Sequence, residues 1–198
     1  MKFSLAAVLA ITGLAAAAPQ WGSQVSRPAT SSASSASQVS RPSATSSFTP
    51  PAPSCLTSSD ATTLVNGFQS LISNYTLATA EKLLSNDFTD TSDSINILAG
   101  YPLGSTTFPS KAAFEAGQGS QPALPMTILS IDSVDCTKVG FRWTITIDPT
   151  KPVVKGINSI ASSYNTTTRA WQIKTVYSEF NSCHWMNLIG GTCKGPGQ

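Results

Sequence analysis

The hydrophobic pattern of the domain begins with the period of a helix. Seven apolar residues recur at steps of three or four positions and form one stripe: Ala61, Leu64, Val65, Phe68, Leu71, Ile72 and Tyr75. Thr57, followed three residues later by Asp60, is a variant of the capping box that starts a helix. A second, shorter helix is predicted around Leu77–Leu84, and a third from Ser110 to Gly117 or Gly119.

Beyond Pro125 the period shortens to two, which predicts β-strands. Four strands are expected, at residues 128–134, 139–147, 153–164 and 170–180. In the last strand, alternation places five residues on one face: Trp171, Ile173, Thr175, Tyr177 and Glu179. Short connections favour antiparallel pairing of neighbouring strands. Helices followed by a strand meander predict an α+β fold, with the helices packed on one face of a curved antiparallel sheet.

The first 54 residues do not share this pattern. Residues 1–18 combine a positive start at Lys2 with an uncharged apolar run that ends in small residues, which predicts a secretory signal peptide. We expect cleavage at Ala17, because Pro19 would be a poor first residue of the mature chain. Residues 19–54 contain twelve Ser, six Pro and three Thr, so we expect a disordered stalk. This stalk is either O-glycosylated or an unmodified tail.

Charge narrows the partners of the remaining domain, residues 55–198. It carries nine Lys and Arg residues against ten Asp and Glu residues. This balance gives neither the basic surface of a nucleic-acid-binding protein nor the polybasic patch of a membrane-surface protein. No segment after the signal peptide has the ~18 apolar residues of a membrane span. The sequence therefore predicts a secreted, extracellular protein with no nucleic-acid partner and no membrane span.

Four cysteines lie in the part that is expected to be exported: Cys55, Cys136, Cys183 and Cys193. An even number in an oxidising compartment predicts two disulfides. The alternative is a metal site at Cys183, His184 and Cys193, but this group lacks a CxxC pair and a fourth ligand at an obvious spacing. The sequence also has no phosphate-binding loop, dinucleotide fingerprint or HExxH motif. We therefore expect neither a metal nor a cofactor.

Four stretches of the domain resemble a group of fungal secreted NTF2-like domain proteins: Asp87–Asn96, Phe108–Pro122, Cys136–Trp143 and Trp171–Ser182. The resemblance covers nearly the whole domain. It implies an NTF2-like cone, in which three N-terminal helices pack on a curved antiparallel sheet of four long strands plus a short one. It also implies export, and it implies no agreed activity.

The expected strand directions narrow the disulfide pairing. The strand after Cys136 and the strand before Cys183 are separated by one strand, so they run in the same direction. The two cysteines then lie at opposite ends, and ten residues of strand span roughly 33 Å. Bridged Cα atoms lie within about 7 Å of each other. Hence we expect a local Cys183–Cys193 bridge and a bridge from Cys55 to Cys136, with Cys55–Cys193 as the competing cross-link.

NTF2-like folds often enclose a pocket between sheet and helices, and the resemblance implies one here. The expected wall residues are Phe68, Phe141, Trp143, Trp171 and Tyr177. Enzymes on this fold use a carboxylate as the base, and burial in an apolar pocket raises the pKa of such a group toward neutrality. The candidate acid and base residues are Asp90, Asp93, Tyr177 and Glu179.

Each of these candidates also has a structural interpretation. Tyr177 and Glu179 share a face with Trp171 in the alternating pattern, so their tips would reach a pocket mouth. The favoured alternative is that they meet water or Arg142 at a strand end. Asp90 and Asp93 would lie on opposite faces of a strand, and the favoured interpretation is a turn whose polar side chains bond their own backbone.

Two hypotheses on function follow. The favoured one is a non-enzymatic module that binds a small apolar ligand or an extracellular protein partner. The alternative is a cofactor-free isomerase or hydrolase that uses a pocket carboxylate, and the deciding observation is whether Asp90, Asp93 or Glu179 points into an apolar cavity. N-glycosylation is expected at Asn74 and Asn165, which stand in N-x-T sequons. The resemblance further suggests a homodimer through the open sheet face.

Overall fold

The computed structural model describes residues 51–194. The predictions of a signal peptide at residues 1–18 and of a stalk up to residue 50 therefore lie outside the described residues. The described part contains five helices and five strands, in this order: α1 (Ser58–Ser73), α2 (Leu77–Leu83), β1 (Leu84–Thr91), α3 (Asp93–Ala99), α4 (Lys111–Gly119), β2 (Met126–Val134), β3 (Lys138–Ile145), β4 (Val154–Asn165), β5 (Ala170–Phe180) and α5 (Ser182–Leu188).

The first helix begins where the sequence predicts. The Thr57 hydroxyl accepts a hydrogen bond from the Asp60 amide, and the Asp60 carboxylate accepts one from the Thr57 amide, which completes a capping box. The predicted apolar stripe faces the core, with Ala61, Val65 and Leu71 fully buried. Gly67 allows α2 to approach, because a Cβ at this position would lie 2.9 Å from the Leu83 side chain.

The sheet has the order β1-β5-β4-β3-β2. Strands β2 to β5 form the predicted antiparallel meander. Strand β1 pairs with β5 in parallel, with Asp90 opposite Val176. The predicted short strand is β1, and it is parallel to its neighbour: a crossover through α3 and α4 separates it from β2, and it joins the free edge of β5. The predicted α+β fold is confirmed, and its five-stranded sheet is curved, unclosed and mixed in strand direction.

Two helices were not predicted from the sequence. Helix α3 occupies the segment for which the sequence favours a turn. The Ser92 hydroxyl accepts a hydrogen bond from the Ile95 amide, and Asp93 lies in the first helical turn. Residues that favour turns also favour helix N-caps, so the local chemistry was ambiguous. Helix α5 has seven residues and none of them is fully buried, so it carries no clear apolar stripe.

An irregularity in β5 changes which side chains face the core. Ser162 of β4 pairs with Ile173, and Ala161 pairs with Thr175, so Lys174 is an extra residue in the strand. A bulge of this kind moves every following side chain to the opposite face. Val176 and Ser178 therefore point inward, and Tyr177 is 55% exposed on the outer face. The prediction that Tyr177 shares a face with Ile173 is wrong for this reason.

The two disulfides join the pairs that the strand directions favoured. Cys55 pairs with Cys136, which ties the start of α1 to the β2–β3 connection. The Leu56 amide donates a hydrogen bond of 2.9 Å to the Cys136 carbonyl at the same place. Cys183 pairs with Cys193 and closes the chain segment that follows α5. The core lies between these points, where α1, α2 and α4 cover the concave face of the sheet.

Candidate functional site

A cavity of about 310 Å³ lies at the end of the cone away from the Cys55–Cys136 bridge. Its walls come from the end of α1, from α3, α4 and α5, and from the inner face of β1, β2, β3 and β5. Apolar side chains dominate the lining, and six of them are aromatic: Phe68, Phe108, Phe114, Trp143, Phe180 and Trp185. Four polar side chains reach the lining: Asp90, Gln118, Gln121 and Ser178. Such a wall fits a small, largely apolar molecule.

Asp90 is fixed at the end of β1, with 2% of its surface exposed. Its amide and its carbonyl each form a hydrogen bond of 3.0 Å with Phe108, so the backbone is held on both sides. The carboxylate atom Oδ1 is buried and has no hydrogen-bond partner among residues 51–194. The pKa of Asp90 is raised to about 7, chiefly by burial and also by the nearby Glu179 charge, while the hydrogen bond from the Thr91 backbone acts in the opposite direction.

Asp93 and Glu179 have structural partners and do not line the cavity. Glu179 accepts hydrogen bonds from the Asp93 amide at 2.9 Å and from the Ser94 amide at 3.0 Å. It therefore caps the N-terminus of α3, where a negative charge is favourable. The Asp93 carboxylate accepts a hydrogen bond of 2.6 Å from the Gly104 amide and so holds the loop after α3.

The five predicted wall residues are divided by the structure. Phe68 and Trp143 line the cavity, whereas Phe141, Trp171 and Tyr177 do not. Phe141 is fully buried behind Phe68, with the ring centroids 6.0 Å apart. Trp171 precedes the bulge in β5 and packs against Tyr164 at 5.5 Å. Tyr177 is turned outward by the bulge.

Sequence reasoning missed Ser178 and the contribution of α3 and α5 to the wall. Ser178 stands between Tyr177 and Glu179, and strict alternation assigns it to the outer face. Trp185 of α5 and Ile189 just after this helix are part of the wall, and the Trp185 ring packs against Phe180 with the ring centroids 5.0 Å apart. The apolar content of residues 185–189 was the available signal, but a single helical turn has too few positions to show a period.

A hydrogen-bond network lies on the inner face of β3, β4 and β5. The Trp143 indole Nε1 donates a hydrogen bond of 2.6 Å to Asn158 Oδ1, and the Ser178 hydroxyl donates one of 2.9 Å to the same oxygen. Gly156 makes the arrangement possible, since a Cβ there would lie 2.2 Å from the Trp143 ring. The glycine lets the indole lie across β4 and reach the amide.

The remaining candidate positions lie outside the cavity. His184 Nε2 is 2.8 Å from the Pro152 carbonyl oxygen. Arg142 forms an ion pair with Asp132 on the outer surface, at 2.7 Å. Asn74 ends α1 and is exposed, and Asn165 lies at the β4–β5 turn. The Asn165 side-chain amide donates a hydrogen bond to Gln172 at 2.9 Å.

Within residues 51–194 we find no group of three or more His, Cys, Asp or Glu side chains arranged to hold a metal ion. In the same part of the chain, no helix has both the length and the apolar character that crossing a membrane requires.

A family model described as NTF2-like domain matches residues 54–192. The chain belongs to this family. A comparison with curated proteins gave no significant match. The NTF2-like family assignment agrees with the cone that the helices and the curved sheet form around the cavity.

Solved structures with the same fold share little sequence with this NTF2-like chain. One is IdmH from Streptomyces antibioticus, a candidate polyketide cyclase, with a TM-score of 0.50, 14% identity, and coverage of 66% of this chain and 98% of IdmH. Another is an NTF2-like protein of unknown function from Burkholderia pseudomallei K96243, with a TM-score of 0.50, 13% identity, and coverage of 67% and 98%. At these identities the likeness shows the fold alone.

Proposed function

We propose that this NTF2-like domain binds a small, largely apolar molecule in its cavity, and that Asp90 exchanges a proton with it. The observation that carries the proposal is the buried Asp90 carboxylate, whose Oδ1 has no partner among the described residues and which lines an apolar cavity. This is the feature that separates the two hypotheses drawn from the sequence. It favours a proton-transfer enzyme of the isomerase class over a purely binding module.

The chemistry follows from the surroundings of Asp90. A carboxylate with a pKa of about 7 is a far stronger base than one near 4, and it is still ionised in a large fraction of molecules at neutral pH. The apolar wall keeps water away from the reacting atoms and strengthens electrostatic interactions with the bound molecule. Abstraction of an acidic C–H proton next to a carbonyl and its return to another carbon is an isomerisation that needs one such base.

A second candidate function is binding without catalysis. Asp90 is the sole titratable side chain among the residues that line the cavity in the described part of the chain. A developing oxyanion would therefore meet no charged partner on this wall. That observation favours a carrier or a receptor domain, in which Asp90 only orients the ligand.

We further propose that the protein is secreted and N-glycosylated. The apolar N-terminal run with small residues before Pro19, and the Ser- and Pro-rich stretch after it, support export. Two disulfides are compatible with an oxidising compartment. The exposed position of Asn74 and the turn position of Asn165 suit glycan attachment.

The experiment that tests proton transfer compares Asp90→Asn with the wild-type protein. The probe is 3-cyclohexenone, whose conversion to the conjugated 2-cyclohexenone is followed by ultraviolet absorbance. We expect the wild type to accelerate the conversion, with a rate that rises with pH through about 7, and Asp90→Asn to lose at least roughly a hundredfold, the usual contribution of a positioned base.

The matched control is Asp87→Asn. Asp87 lies on the same strand but is exposed and forms an ion pair with Lys174 at 2.9 Å. It should leave the rate unchanged. Equal rates for the wild type and Asp90→Asn across a series of ring ketones would reject proton transfer by Asp90 and favour the binding function.

A further inference from the structure

Ser178 places a second polar side chain on the sheet-lined wall of the cavity, beside that of Asp90. The bulge at Lys174 turns its side chain inward, where it is 6% exposed and lines the same wall as Asp90. Asp90 pairs with Val176 in the parallel register, and Ser178 is the next inward residue along β5. The two polar groups are therefore diagonal neighbours on one face of the sheet.

The direction of the Ser178 hydroxyl follows from its partners. The Trp143 indole can only donate, so the Asn158 atom at 2.6 Å from it must be the amide oxygen. Ser178 Oγ is 2.9 Å from that same oxygen, which can only accept. The Ser178 proton is therefore committed to Asn158. What the hydroxyl offers to the cavity is its lone pairs, and it acts there as an acceptor.

The two glutamines on the wall do not compete for this role. Gln118 and Gln121 are half-buried and come from α4 and the segment after it, away from the sheet. Ionised Asp90 is also an acceptor without a donor proton. The inner, sheet-lined part of the cavity thus presents two acceptors side by side in an apolar wall.

We propose that Ser178 is a specificity-determining residue which accepts a hydrogen bond from a hydroxyl group of the ligand. The cavity would then select apolar alcohols, phenols or enolisable hydroxy ketones over analogues of equal size that cannot donate. The inference deepens the proposed function, because it concerns the substrate of the same cavity. It requires the cavity to bind a ligand and does not require Asp90 to transfer a proton.

The test compares two probes of nearly equal size, 2-naphthol, which can donate, and 2-fluoronaphthalene, which cannot. Dissociation constants are measured by equilibrium dialysis at pH 8. We expect the wild type to prefer 2-naphthol by roughly three- to tenfold, the value of one hydrogen bond between neutral groups. Ser178→Ala should abolish this preference and leave the affinity for 2-fluoronaphthalene unchanged, which also shows that the cavity is intact.

Two further variants make the result specific. Ser178→Thr keeps the hydroxyl and should keep the preference. Ser159→Ala removes a hydroxyl from the exposed outer face of β4 and should change nothing. If the preference survives Ser178→Ala, or is lost in Asp90→Asn while Ser178→Ala retains it, the role of Ser178 is wrong.

These outcomes are separate from those of the proposed function. A preference that depends on Ser178, together with equal cyclohexenone rates in the wild type and Asp90→Asn, would support the specificity residue and reject proton transfer. Binding of neither probe by any folded variant would overturn the role of Ser178, while the cyclohexenone rates would still decide whether Asp90 transfers a proton.

Discussion

Asp90 lies at a position where ionisation of its carboxyl group costs free energy in the folded protein. A neutral carboxyl needs little from an apolar wall, whereas an ionised one loses its hydration, and Oδ1 recovers no hydrogen bond from the described residues. The resulting pKa of about 7 lies well above the ordinary value of 3.8. Groups with such a cost are often functional, because natural selection would otherwise replace them.

This cost predicts a pH dependence of stability. The folded pKa is raised, so the folded state binds more protons than the unfolded state between pH 4 and 7, and stability falls as the pH rises through this window. The full difference amounts to about 4 kcal/mol at most. Asp90→Asn lacks the titration, so we expect it to gain stability relative to the wild type between pH 4 and pH 8.

Urea unfolding with the disulfides intact measures this effect at both pH values. Asp87→Asn is the control, because the pKa of the exposed Asp87 is shifted in the opposite direction: Lys174 and Ser85 lower it. It should show no gain at pH 8. The wild type should lose free energy of unfolding relative to Asp90→Asn between pH 4 and pH 8. If it does not, the Asp90 carboxyl is not buried at a cost to its charged form.

At the scale of elements, the sequence predicts helices and strands well where the apolar period is sustained. Helix α1 begins at the predicted cap, and β5 spans the predicted residues 170–180. Helix α3 was missed because Ser and Asp favour turns and helix caps alike. The predicted inward face of β5 is correct before the bulge and wrong after it, because the extra residue Lys174 inverts the alternation of side chains. The bulge arises from pairing with β4 and has no signal in the local sequence.

The bulge leads to a prediction about two residues that simple alternation treats alike. Ile173→Ala removes a fully buried side chain and should cost about 2–5 kcal/mol. Tyr177→Ala removes an exposed side chain and should change stability by no more than about 0.5 kcal/mol. Urea unfolding of both variants decides between the two patterns. A loss at Tyr177 as large as that at Ile173 would place both side chains on the inner face.

At the scale of the whole molecule, the two disulfides lie at opposite ends of the cone. The Cys183–Cys193 bridge joins α5 to the segment after it, and these contribute Trp185 and Ile189 to the cavity wall. The Cys55–Cys136 bridge lies near the start of α1, while the cavity meets that helix at Phe68 and Ile72, near its other end. Only the Cys183–Cys193 bridge should therefore affect the cavity.

Removal of each bridge tests this division of roles. Cys183→Ser with Cys193→Ser should loosen α5 and weaken binding of 2-naphthol severalfold, as measured by equilibrium dialysis. Cys55→Ser with Cys136→Ser opens the longer loop and should lower the free energy of unfolding more, by up to about 4 kcal/mol, since loop entropy grows with length. The folded fraction of this second variant should bind 2-naphthol as the wild type does. Equal loss of affinity in both would show that α5 has no special role.

The sequence by itself determined the fold class, the antiparallel meander and the first helix with its cap, and it favoured the disulfide pairing that the structure has. These features follow from periodicity, capping chemistry and strand direction, which are written locally in the chain. Only the tertiary structure decided that β1 joins β5 in parallel, that a bulge turns Ser178 inward and Tyr177 outward, and that Asp90 lines an apolar cavity with its Oδ1 lacking a hydrogen-bond partner among residues 51–194. Register and burial depend on contacts between residues that are distant in the chain, so no local pattern could specify them.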